Sequence, residues 1–167
     1  MARVWVFGEN VDTDQIVPGR YAPYMTSEAE LGKYPFIEHR PEFAKEVQPG
    51  DIIVAKKNFG CGSSREYAPK ALKVVGVGAI IAPTFARIFF RNALSLGLPL
   101  FQLDLSEELV DGEQVELTLE PGAYRIASAH GDYDLPEPPD FVREIWSEGN
   151  LIQYYRKNGH FPGQAAS

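Results

Sequence analysis

The sequence predicts an α/β domain in which helices and sheets form layers. Three observations carry that expectation. Short apolar runs at 52–55, 78–82 and 98–103 are separated by two helix-like segments. A period-two stretch follows, folded about Pro121-Gly122. Two amphipathic segments then close the chain. Strand–helix–strand–helix–strand order calls for crossover helices between parallel strands. Alternation about a Pro-Gly turn calls for a hairpin.

The elements follow in order. Val4 to Phe7 is a short strand ending at Gly8. Residues 22–48 mix proline, tyrosine and charge with weak periodicity, which predicts a long loop with short helical pieces. Pro49-Gly50-Asp51 is a turn into the strand Ile52–Ala55. Ser63 or Ser64 is placed to cap a helix reaching Val75, with Ala68, Ala71, Leu72 and Val75 as its apolar stripe. After the strand Gly78–Ala82, Thr84 is placed to cap a second helix that stops at Gly97. Leu98–Leu103 is the next strand, and Gln114–Leu119 with Ala123–Ala127 the hairpin. Pro138–Ser147 and Asn150–Lys157 are helices, and 162–167 is a frayed tail. A chain of 167 residues without a low-complexity linker is expected to form one domain, 1–167.

Composition removes several functions. The formal net charge is -7, and the 16 basic residues form no stripe, so nucleic acid is not expected as a partner. With neither a signal peptide nor an apolar run of about 20 residues, the expected location is the cytoplasm, away from membranes. A single cysteine, Cys61, rules out a disulfide within the chain and an iron–sulfur cluster held by this chain alone. His39, His130 and His160 lack ligand spacing, so no metal site is expected.

Asn58 to Glu66 is the strongest local feature. It joins a strand to a helix and holds Gly60, Gly62, Ser63, Ser64 and Arg65. Glycines let the backbone turn tightly, a helix start offers N–H groups, and arginine offers a planar pair of donors. These parts suit an anion, preferably a hydroxylated carboxylic acid. A capped glycine turn with a surface arginine is the plainer reading. The lysine of a phosphate-binding P-loop is missing, and Arg65 stands where a dinucleotide fingerprint needs its third glycine. Asp12-Thr13-Asp14 is the second feature; its acids could bind a metal, orient an arginine or cap a helix.

Three phrases then resemble a known family: Asp12-Thr13-Asp14-Gln15-Ile16 with Pro18-Gly19-Arg20-Tyr21, Gly62-Ser63-Ser64-Arg65-Glu66, and Phe85-Ala86-Arg87-Ile88 with Arg91-Asn92. Together they resemble the small subunits of 3-isopropylmalate dehydratase and homoaconitase, a layered β/β/α swivelling domain similar to the fourth domain of aconitase. The resemblance implies a hydro-lyase active only with a large subunit that carries a 4Fe–4S cluster. This chain would bind no cofactor itself. Ser63 would be the base, Ser64 and Arg65 would hold a substrate carboxylate, and Thr13 and Asp14, matching active-site positions on the opposite loop, would also bind substrate. Specificity would lie in Arg20, Tyr21, Ala22, Pro23 and Tyr24. An apolar lining there favours isopropylmalate and leucine biosynthesis, whereas an arginine favours the extra carboxylate of homocitrate and lysine biosynthesis. The rival of another class is a non-catalytic phosphate- or nucleotide-binding module built on the glycine loop. The 22–48 segment is expected to be mobile without the partner.

Overall fold

In the computed structural model, which describes residues 1–63 and 65–164, the described residues form a seven-stranded sheet. Strands β1 (Ala2–Val6), β2 (Ile52–Val54), β3 (Ala79–Ala82) and β4 (Leu100–Gln102) are parallel. Strands β5 (Gln114–Glu120), β6 (Ala123–Ser128) and β7 (Gly131–Asp134) form an antiparallel meander on the other side of β1, giving the order β4-β3-β2-β1-β5-β6-β7. The α/β expectation is borne out. The hairpin extends to a third strand, β7, that the sequence pattern did not reveal. Three of its four residues, Gly131, Asp132 and Asp134, have low strand propensity, and the strand is held by pairing with β6.

Successive strand residues point to opposite faces, and the core divides accordingly. Trp5, Ile53, Ala55, Ile80 and Ala82 point to one face. There they meet helices α4 (Tyr67–Val74) and α5 (Arg87–Leu96) through Ala68, Ala71, Leu72, Phe89 and Ala93. Val4, Ile52, Val54, Ala79 and Ile81 point to the other face and pack with Val115, Tyr124 and Ile126 of the curled meander. Runs of three and four residues buried on both sides explain why β2 and β3 are continuously apolar. The layers are therefore helix, parallel sheet and antiparallel sheet.

Short elements fill the 13–46 region: α1 (Thr13–Ile16), a 3-10 turn (Gly19–Tyr24), α2 (Glu28–Leu31) and α3 (Glu42–Glu46). Phe36 and Phe43 are fully buried, and Phe36 stacks on Phe7 with ring centroids 4.3 Å apart. Much of the expected loop is thus pinned to the sheet. Arg40 adds a polar anchor, donating to the Val6 carbonyl at 3.0 Å and pairing with Asp111 at 2.6 Å.

Two capping expectations are corrected. The N-cap of α4 is Glu66 and that of α5 is Ala86, neither with a side-chain cap. Thr84 instead accepts the Asn58 N–H at 2.7 Å, because the 58–59 and 84–86 segments pair there. At the other end, α6 (Asp140–Glu148) and α7 (Leu151–Asn158) form as expected, Asn150 capping α7. Of the tail expected to fray, Gln164 closes a turn onto Phe161, its N–H donating to the Phe161 carbonyl at 3.1 Å, and 165–167 lie outside the described residues.

Candidate active site

The candidate site lies where the chain leaves the carboxyl ends of the parallel strands, a usual place for ligands in open α/β sheets. Beyond β1, residues 10–13 run beside residues 57–61, which follow β2. Asn10 N–H donates to Lys57 O at 2.9 Å, Gly60 N–H to Val11 O at 2.7 Å, and Thr13 N–H to Cys61 O at 2.8 Å. Both segments then turn outward. Asp12 caps α1 through a capping box with Gln15, which settles that acid's role as a cap. Gly60 and Gly62 turn the other segment at φ +85° and +100°, values a side chain disfavours. A Cβ on Gly60 would fall 2.2 Å from Phe89, so the loop also needs glycine to seat on α5.

These turns bring the separated phrases together. Thr13 Oγ1 lies 3.2 Å from Ser63 Oγ and 3.3 Å from the Ser63 carbonyl. Asp14 pairs with Arg65 at 3.1 Å. Ser63 and Asp14 are exposed, Arg65 is half-buried, and Thr13 is only 2% exposed. Ser64 lies outside the described residues. Arg20 pairs with Glu38 and donates to Tyr21 Oη at 3.1 Å; Tyr21 in turn stacks on Tyr34 at 4.9 Å. Ala22, Pro23 and Tyr24 face solvent.

Two contributors were missed in the sequence. Gly19 lies against the Arg65 guanidinium, so closely that a Cβ would come 2.2 Å from Nη1. Glu38 neutralises Arg20 across 18 positions, which no local pattern signals. The glycine loop is less suited to a phosphate than its composition suggests, because the Gly60 N–H is already given to Val11.

Cys61 is half-buried, and burial together with the Asp12 carboxylate pushes its thiol above the ordinary value. One such thiol cannot supply the three thiolates of a cluster. Among the described residues no three His, Cys, Asp or Glu side chains gather to hold a metal. The residues therefore do not fit a resident 4Fe–4S cluster. A separate apolar cavity of about 240 Å³, lined by Phe90, Leu94, Leu100, Val142 and Trp146, shares no residue with this site.

Fold and site define a class: an α/β domain that presents a hydroxyl and a guanidinium on an open face. The chain belongs to the aconitase C-terminal domain family, whose model matches residues 9–106. It is 52% identical to the homoaconitase small subunit of Thermus thermophilus, covering 98% of this chain and 100% of that one. It is 48% identical to 3-isopropylmalate dehydratase small subunit 1 of Deinococcus radiodurans, covering 98% of this chain and 92% of that protein. The crystal structure of a 3-isopropylmalate dehydratase from Methanocaldococcus jannaschii superposes with a TM-score of 0.85 at 39% identity, over 95% of this chain and 93% of that one. No helix among the described residues is long and apolar enough to cross a membrane.

Proposed function

We propose that this chain is the small subunit of a heteromeric aconitase-type hydro-lyase, with 3-isopropylmalate as its substrate. The observation that carries this reading is the exposed Ser63 hydroxyl, on the loop that also bears Arg65, fixed 3.2 Å from the buried Thr13 of the facing loop. The names of the 48% and 52% identical relatives, both small subunits, support the assembly. The reaction is a reversible loss and return of water that moves a hydroxyl between adjacent carbons. Ser63 removes the proton beside a carboxylate, while Arg65 and Ser64 hold a substrate carboxylate. Asp14 orients Arg65.

A serine hydroxyl yields its proton poorly in water. It needs a dry, electropositive pocket. Arg65 supplies charge, and a large subunit closing over the exposed face supplies dryness. That partner would bring the 4Fe–4S cluster, a Lewis acid toward the substrate hydroxyl. The working complex belongs in the cytoplasm.

Substrate choice follows from the 20–24 segment. Glu38 neutralises Arg20, and Ala22, Pro23 and Tyr24 present an uncharged surface. That surface suits an isopropyl group and leaves a third carboxylate unpaired. Homocitrate is the second reading, favoured by the 52% identical homoaconitase subunit. The test is Ser63→Ala in the complex with the large subunit. Turnover should vanish while assembly persists. Undiminished turnover would remove Ser63 from the chemistry.

A further inference from the structure

Among the described residues, Thr13 is one of the few polar ones that are buried, at 2% exposure. A buried hydroxyl must find partners, and Thr13 finds both on one residue: Ser63 Oγ at 3.2 Å and Ser63 O at 3.3 Å. Its own backbone is fixed on two sides. Its N–H donates to Cys61 O at 2.8 Å, and its carbonyl accepts the Val17 N–H at 2.9 Å. Gly62 makes the approach possible. A Cβ there would press to 3.3 Å from Thr13 Oγ1 and 3.4 Å from Asp12 Cβ. A hydroxyl carries one proton and two lone pairs, so it cannot donate to both Ser63 oxygens at once.

Resting on the reading of Ser63 as the base, we propose that Thr13 is a positioning residue whose hydroxyl switches between the two Ser63 oxygens. With Ser63 protonated, Ser63 donates to Thr13 Oγ1, and Thr13 donates to the Ser63 carbonyl. When Ser63 releases its proton to the water expelled as the large subunit closes over the face, the alkoxide is the stronger acceptor, because a charge-assisted hydrogen bond is about twice as strong as a neutral one. The Thr13 proton then turns to it. The alkoxide takes a proton from the substrate carbon: the C–H bond breaks and the O–H bond forms. The electron pair enters the new C=C bond as the neighbouring hydroxyl leaves as hydroxide. Ser63, protonated again, donates to Thr13 Oγ1, and the Thr13 proton turns back to the carbonyl. Burial keeps water from replacing Thr13 in this role.

The test compares Thr13→Val and Thr13→Ser with wild type and Ser63→Ala, each in the cluster-bearing complex, on isopropylmalate across pH. Thr13→Val keeps the shape without the hydroxyl. Its kcat should fall about 10²-fold, as when an oxyanion donor is removed, with KM within about threefold. The rising limb of its kcat–pH profile should move upward by one to two units, on the order expected when a charged form loses a hydrogen bond. Thr13→Ser should restore kcat to within about fivefold, since the donor returns. A wild-type kcat and profile in Thr13→Val would overturn the proposal, as would Thr13→Ser falling equally far, which marks a packing role. If Thr13→Val does not assemble, the Thr13→Ser profile decides: a wild-type limb supports the switch and a displaced one overturns it. Full activity in Ser63→Ala, or an inactive wild-type complex, would instead bring down the functional reading itself, and the switch with it.

Discussion

Asp14 Oδ1 accepts two hydrogen bonds at once, from Arg65 Nη1 at 3.1 Å and from the Gly19 N–H at 2.9 Å. One carboxylate thus ties the guanidinium on one loop to the backbone of the other. The side chains of the pair are 39% and 67% exposed, so solvent screens it, and it contributes under about 1 kcal/mol to folding. Asp14→Asn should leave the urea midpoint unchanged, while KM in the complex rises about tenfold as Arg65 loses its orientation. A large stability loss with unchanged KM would assign the pair to folding.

Gly19→Ala probes the same contact from the backbone. The added Cβ meets the mobile end of Arg65 at 2.2 Å, so the guanidinium must move while the fold stays. Steady-state kinetics should show kcat/KM down by at least about tenfold, the size of effect that misplaced binding groups produce. Thermal unfolding should be near wild type. Wild-type kcat/KM would mean that the guanidinium position seen here does not matter to substrate.

Acid stability should depend on Asp111. Its burial opposes the charged form. Hydrogen bonds from Arg40 and the Val6 N–H, with the charges of Arg40 and Arg3, outweigh this and hold its carboxyl below the ordinary aspartate value. A lowered folded value stabilises the fold above the ordinary aspartate value, and that stability is lost as pH falls through the folded one. Urea midpoints should therefore drop below the ordinary aspartate range in wild type and drop less in Asp111→Asn. Identical acid limbs in the two proteins would refute this linkage.

Much of the architecture was legible because it rests on local pattern. The apolar runs of β2 and β3, buried on both faces, announce parallel strands, and Pro121-Gly122 announces the β5–β6 turn. The caps were misassigned because Ser63 and Thr84 look like caps locally but serve tertiary partners, Thr13 and Asn58. At the site, Thr13, Asp14, Ser63 and Arg65 were all named in advance, yet their pairing was not. Thr13–Ser63 and Asp14–Arg65 are each about 50 residues apart and meet only because β1 and β2 lie side by side. Glu38 was silent for the same reason, and Gly19 stood in the phrase Pro18-Gly19-Arg20-Tyr21 without any sign of its contact with Arg65.

The packing narrows the expected mobility of residues 22–48. Leu31, Phe36 and Phe43 are core residues, and Arg40 is tied to β1, whereas Ala22 to Tyr24 face solvent. Hydrogen exchange on the isolated chain should be fast at 22–30 and slow at 36–43. Binding of the large subunit should slow only the first stretch. Uniform protection across 22–48 without a partner would contradict this division.

The most direct test is a dehydratase assay on the chain alone and in anaerobic complex with its large subunit, comparing isopropylmalate with homocitrate. The account predicts no turnover by the chain alone. In the complex it predicts turnover that favours isopropylmalate and disappears in Ser63→Ala. Preference for homocitrate would overturn the substrate and keep the mechanism. No turnover of either substrate, from a complex whose cluster is intact, would contradict the assignment to this chemistry.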